Sequence, residues 1–261
     1  MDDRRKTFAD LVAGAAPVGR EQLAMGALLV GTTVDPGIDV DAEDRRLGEL
    51  ADSCSATSAG PLALELFASG RFSGNLGEYY DPDNSVLPRV LDRGLGIPIT
   101  LSVLFIDVGR RRGIEVDGVA MPVHFLSVAD DVYYDVFNAG TALDAAGCEA
   151  LYGRMTGGRG RLPRGALSAV PPAAILQRML WNLRSIAEGR NDFPMATRVL
   201  GLLSCFPDAP LQVRVAYATT LAERGRFDLA AAEVEAALEV APESAVERLQ
   251  ARADQWVARL N

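Results

Sequence analysis

His124 is the only histidine in the chain, and Asp135 follows it eleven residues later. An imidazole backed by a carboxylate is a general-base pair: the carboxylate orients the ring and stabilises it when it takes a proton. In thiol enzymes such a pair follows a helix whose first turn carries the nucleophile. The helix N-terminus lowers the thiol pKa and offers N–H groups to an oxyanion. The stretch GIPITLSVLFIDVGRRRGIEVDG, Gly96 to Gly118, opens like such a helix and precedes the His and the Asp in the required order. Its first positions are Ile97 and Pro98, and neither can attack a carbonyl. Thr100 is rotated about half a turn from that slot, and Ser102 is about 6 Å further along the axis. Cys54, Cys148 and Cys205 are few, odd in number and far apart, so they read as reduced buried thiols, not as a disulfide framework or zinc ligands.

The elements that must position the pair are legible from periodicity. Ile97, Leu101, Leu104, Phe105 and Val108 make one helical stripe, with Pro98 at a first helical position and Gly113 as a stop. The pattern then changes to a period of two. His124, Leu126 and Val128 share one strand face; Tyr133, Asp135 and Phe137 share one face of the next. A two-residue turn at Ala129-Asp130 sets His124 opposite Asp135. A turn one residue later makes them diagonal neighbours on the same face, and a three-residue loop separates them. Upstream, REQLAMGALLVG puts Leu23, Ala27 and Val30 on one helix face. A loop rich in Gly, Asn, Asp and Pro then carries one short helix around Val86 to Asp92. Asp81, Asn84 and Ser85 are expected to cap that helix rather than hold a ligand. Arg93 with Asp92 is expected to form an ion pair or an anion site facing the start of the Pro98 helix.

The segment GRMTGGRGRLPRG, Gly153 to Gly165, reads as a flexible loop or linker. Beyond it the chain is helical and self-similar. RNDFPMATRVLGLLSCFPDAP aligns with RGRFDLAAAEVEAALEVAPES at a spacing of 34 residues, Phe193 to Phe227, with Asn191 in the place of Gly225. That is the tetratricopeptide period, and it predicts Phe227 and Ala230 buried between paired helices. Two repeats cannot stand alone and must pack on the rest of the chain. The 261 residues, about half hydrophobic, suit one large domain or a domain with a helical appendage. A net charge of −9 argues against nucleic-acid binding. No apolar run is long enough to span a membrane, no signal sequence is evident, and a cytoplasmic location is expected. One histidine and scattered cysteines give no metal spacing, and no Walker or dinucleotide motif occurs, so no cofactor is expected.

At YYDPDNSVLPRVLDRGLGIPITLS the chain resembles the SirB-one family, bacterial proteins with a transglutaminase-like core of the second type followed by tetratricopeptide-like helices. The Tyr-Asp-Pro-x-Asn-Ser, Val-Leu-x-Arg and Gly-Ile-Pro-Ile-Thr-Leu blocks occur in order. VHFLSV and YYDVFNAG follow where the family has its His-Phe-Leu and Asp-Pro-Phe-Asn-Gly-Gly segments. The resemblance covers nearly the whole chain. It places Pro98 in the thiol slot of a triad whose other members are His124 and Asp135. The candidate binding residues, capping and ion pairing aside, are Asp81, Asn84, Ser85, Arg93, Thr100 and Asn138. Val123, Val136 and Ala139 stand where the family segments have Gly, Pro and Gly, changes expected to stiffen or crowd the pocket. The expected fold is α+β: a transglutaminase-like domain over residues 1–165, with N-terminal helices and a small antiparallel sheet, then tetratricopeptide-like helices over residues 166–261. The expected function is a non-catalytic regulatory or scaffolding module that holds a protein or peptide partner. The alternatives are a hydrolase or acyl-transfer enzyme using His124, Asp135 and an unconventional nucleophile or water, and a small-molecule sensor in the old cleft.

Overall fold

A computed structural model describes residues 3–14 and 17–259. The helices before the first long loop are α1 (Asp3–Val12), α2 (Arg20–Gly31), α3 (Val40–Asp52) and α4 (Ala59–Ala63), which runs into a π-helical turn at Leu64–Ala68. Then come β1 (Ser73–Gly74), a 3₁₀ turn (Pro82–Ser85), α5 (Leu87–Arg93), β2 (Leu95–Gly96) and α6 (Pro98–Arg111). The sheet region holds β3 (Asp117–Val119), β4 (Leu126–Ala129), β5 (Val132–Asp135), β6 (Thr141–Leu143), α7 (Ala145–Met155) and β7 (Ala169–Val170). The chain ends in α8 (Pro172–Arg190), α9 (Phe193–Leu203), α10 (Leu211–Glu223), α11 (Phe227–Leu238) and α12 (Glu243–Val257). This is an α+β core with a helical C-terminal region.

The unit spanning Ala16–Ile186 is organised around α6. The sequence shows one apolar stripe on this helix, yet every residue from Pro98 to Gly109 is buried. It is therefore a central helix covered on all sides, with α2, α3, α4 and α5 on one side and β3 and β4 on another. Its buried Asp107 is tolerated because Arg110 and Arg111 donate to it at 3.0 and 2.7 Å. The antiparallel sheet has the order β6-β5-β4-β3-β7. The turn between β4 and β5 is Asp130-Asp131, both left-handed at φ 50° and 61°, the geometry of a two-residue hairpin turn. Ala129 pairs with Val132 and Ser127 with Tyr134, the later of the two turns considered from sequence.

Where the sequence suggests a division at Gly165, the compact unit runs on to Ile186. The physical reason is pairing and burial beyond the glycine-rich stretch. β7 adds to the edge of β3, and Ile175, Leu176, Met179 and Leu180 are fully buried. The glycine-rich stretch is tethered too: α7 continues to Met155, Leu162 N–H donates to Glu149, and Leu162 and Leu167 pack on the cluster of Val119, Met121, Leu126 and Cys148.

The second unit joins Met1–Ala15 to Ala187–Asn261. α1 belongs here, not with the other N-terminal helices, because Phe8 is fully buried edge-on to Phe206 and Arg5 pairs with Glu233 at 2.8 Å. The 34-residue offset relates the starts of α9 and α11. Asn191 and Gly225 are both left-handed, at φ 54° and 74°, so the asparagine takes the same turn as the glycine. Ala230 is fully buried with Val234, Leu249 and Trp256. Phe227 is only half-buried, with the Arg259 guanidinium over its ring, and Phe193 is 73% exposed. The aromatic expected to fill the helix interface is therefore at its edge, and the small residue is at its centre.

Candidate functional site

The β4–β5 hairpin builds the site. Continuing its register sets Leu126 across from Asp135, while His124, expected on the strand, lies in the bend two residues before β4 and meets Asp135 from there. The His124 Nε2 sits 2.9 Å from Asp135 Oδ1. Both side chains are buried. Asn138 completes the clamp: its side-chain amide donates to the other carboxylate oxygen at 2.7 Å and its backbone N–H to Oδ1 at 3.3 Å. Burial pushes the Asp135 carboxyl up, but the hydrogen bonds and charge of His124 and the bonds from Asn138 outweigh it and hold the pKa below the usual carboxylate value. With Nε2 committed to this carboxylate, Nδ1 is the ring nitrogen left to exchange a proton.

Two strained residues flank the pair. Val123 has φ 62° and Ala139 φ 57°, the left-handed region that glycine enters without penalty. Both are positions where the sequence departs from glycine in the resembling family. Arg178 holds the strained loop from α8, donating to the carbonyls of His124 at 2.9 Å and Met121 at 3.5 Å.

The start of α6 is joined to the pair through Phe137. Gly96 pairs with Gly74 across the short parallel β1–β2 ribbon. A Cβ on Gly74 would lie 2.5 Å from the Phe137 ring, so only glycine allows that approach. The same ring meets His124 edge-on, with centroids 6.2 Å apart. Ile97 is the N-cap of α6 and Pro98 its first residue, itself buried. No sulfur stands there. Cys54 is buried, and burial raises its pKa with the help of Glu65. Burial pushes Cys148 to about 11, with Asp144 and Asp135 adding to the effect, and burial pushes Cys205 to about 11 in the other unit. None of the three is a thiolate near neutral pH.

The remaining candidate residues divide. Asp81 accepts from Asp83 N–H and pairs with Arg93 at 2.8 Å, while Asp92 pairs with Arg46, so Arg93 and Asp92 have different partners. Asn84 is not a cap. Fully buried, it donates to the carbonyls of Glu78 and Tyr79 and accepts from Asn75, which ties the loop before α6 together. Ser85 and Thr100 are buried, with hydroxyls that meet no partner among the described residues. Asn138 alone of this set touches the His–Asp pair. Sequence reasoning missed Arg178 and Tyr79. The only local signals were a cation inside the apolar run ILQRML and the tyrosine pair before Asp81. Among the described residues no three or more His, Cys, Asp or Glu side chains come together as a metal site. No helix among them is long and apolar enough to cross a membrane.

A central helix that begins at Pro98 thus packs on an antiparallel sheet, and a His–Asp pair clamped by Asn138 lies at the ends of the β4–β5 hairpin. A family profile described as the transglutaminase-like superfamily matches residues 43–181. The chain belongs to that superfamily. Among curated relatives, a UPF0162 protein of Xylella fastidiosa is 35% identical over 205 residues, covering 72% of this chain and 73% of that one. A UPF0162 protein of Vibrio cholerae is 29% identical over 152 residues, 55% of each chain. Mouse F-box only protein 21 is 31% identical over 135 residues, 47% of this chain and 21% of that protein. No solved structure matches the chain.

Proposed function

We propose that this chain is a non-catalytic member of the transglutaminase-like superfamily, of the SirB-one type, that binds a protein or peptide partner in the cytoplasm. In this reading the helices after α8 act as a tetratricopeptide-like partner surface. The observation that carries it is Pro98 at the first position of α6 while His124 and Asp135 keep their contact. A base without a nucleophile lacks the covalent step, and proline also removes one N–H from the end of the helix that serves an oxyanion. Each native thiol is buried or has a raised pKa, which supports the same reading. The clamped pair favours one second reading, a hydrolase that activates water through His124 Nδ1.

The test restores the thiol. Ultraviolet thiolate absorption of Pro98→Cys should give a pKa below the ordinary value of about 8.5, within the ~3.5–7.5 range of helix-start and His-paired thiols. Adding His124→Ala should raise it again. An ordinary pKa in Pro98→Cys contradicts the register. Turnover of amide or ester substrates by the unaltered chain, or acyl trapping at Cys54, Cys148 or Cys205, contradicts the non-catalytic reading.

A further inference from the structure

Acidic residues outnumber basic ones 35 to 26 in this chain, and Arg20, Arg46, Arg89, Arg93 and Arg111 all meet carboxylates. Arg178 does not. Its acceptors among the described residues are two backbone carbonyls, and its guanidinium also stacks on Phe125 at 5.4 Å. A guanidinium has five N–H donors, so those two bonds leave donors over. Burial lowers the Arg178 pKa, and the one group that offsets this is the Tyr79 hydroxyl. A partly desolvated cation without an acid is a costly feature unless a ligand completes it.

Exposed apolar residues lie on three segments that include contacts of Arg178 or its neighbours on α8. Leu76, Tyr79 and Tyr80 are 80%, 41% and 74% exposed on the loop after β1. The Tyr79 ring links this loop to the His–Asp site through Phe137, with centroids 6.0 Å apart. Val123, 60% exposed, precedes the histidine whose carbonyl Arg178 holds. Trp181 lies one turn beyond Arg178 on α8 and is 37% exposed, with the Arg184 guanidinium 5.0 Å from its ring centroid. Isolated exposed apolar residues are ordinary, but several of them beside a cation that meets no acid among the described residues have the make-up of a binding site.

The geometry points to a docking site, beside the inactive His–Asp pair, for a polypeptide partner that presents one acidic side chain flanked by apolar residues. The carboxylate takes the free Arg178 donors as a charge-assisted pair, and the flanking side chains cover Tyr79, Tyr80 and Trp181. Apolar groups on more than one side of the cation favour an acid within a segment over a chain terminus. This inference rests on the non-catalytic reading and adds to it the chemistry of the partner.

Two end-blocked peptides test it, Ser-Leu-Phe-Glu-Phe-Leu-Ser and its glutamine counterpart, titrated into the full chain with Trp256→Phe so that Trp181 is the only tryptophan. The glutamate peptide should bind roughly tenfold or more tightly than the glutamine one, the scale of a charge-assisted bond. Arg178→Met should abolish the preference for glutamate over glutamine; the ratio of the two affinities is the readout, because Arg178 also holds the Val123 loop. A merely structural arginine would weaken both peptides in proportion and keep the preference, and that result overturns the proposal. Equal binding of the two peptides by the unaltered side chain overturns it, as does no saturable signal from either. A self-associated chain in sedimentation whose interface covers Trp181 also overturns it, by naming a second copy as the occupant. Conversion of the glutamine peptide to the glutamate form, read by mass in the same samples, contradicts the non-catalytic reading instead, so the two failures are distinguishable.

Discussion

Replacing Ala139 by glycine should stabilise the core, although it removes a methyl group. The backbone at Ala139 is left-handed, φ 57°, next to Gly140 at φ 68° and one residue after Asn138, which clamps Asp135. A left-handed conformation costs a non-glycine residue about 1–2 kcal/mol. Glycine escapes that cost but gives up about 0.5–1 kcal/mol of extra freedom in the unfolded chain. Ala139 is exposed, so no packing is lost. The balance is a gain of about 0.5–1 kcal/mol for Ala139→Gly. At Val123 the β-branch makes the left-handed backbone costlier, but its side chain is 60% exposed, so less than half of a buried valine's ~1.5–3 kcal/mol is given up. Val123→Gly should therefore gain no more than about 0.5 kcal/mol. Urea unfolding followed at Trp181, with Trp256→Phe removing the other tryptophan, reads the change as a shift in midpoint at constant slope. A lower midpoint for Ala139→Gly would refute the strain argument and, with it, the backbone that positions Asn138.

Asp135 sets an acid limb. Its pKa is lowered in the folded chain, so its contribution is complete above the unfolded carboxylate value of about 3.9 and is lost as pH falls through the folded value. Stability measured below about pH 5 should therefore fall less steeply in Asp135→Asn than in the parent, and identical slopes would contradict the hydrogen-bonded carboxylate. The two aromatics related by the 34-residue offset should behave unequally: Phe193→Ala within about 0.5 kcal/mol of the parent, and Phe227→Ala about 1–2 kcal/mol less stable, short of the ~3–5 of a fully buried phenylalanine. Equal costs in thermal or denaturant melts would contradict the asymmetric interface.

Local chemistry made much of this protein readable before any coordinates. Period-two spacing placed Asp135 on a strand but not His124, which lies in the bend before β4; proline and glycine marked the start and end of α6, and the 34-residue offset located α9 and α11. These features follow from neighbours in sequence, where backbone geometry repeats at a fixed interval. The hairpin turn stayed open between two registers because Ala129-Asp130 and Asp130-Asp131 are both short polar-edged turns; pairing of β4 with β5 chose the second. Contacts over long sequence separations decided the rest. The face of α6 with Thr100 and Ser102 is buried only because other elements cover it, which amphipathic counting cannot see. α1 joins the C-terminal helices through Phe8 and Arg5, and α8 delivers Arg178 to the His124 carbonyl across 54 residues. The charge state and partners of a side chain depend on what packs around it in space, so the Asn138 clamp on Asp135 and an Arg178 that meets no acid among the described residues could come only from the tertiary structure.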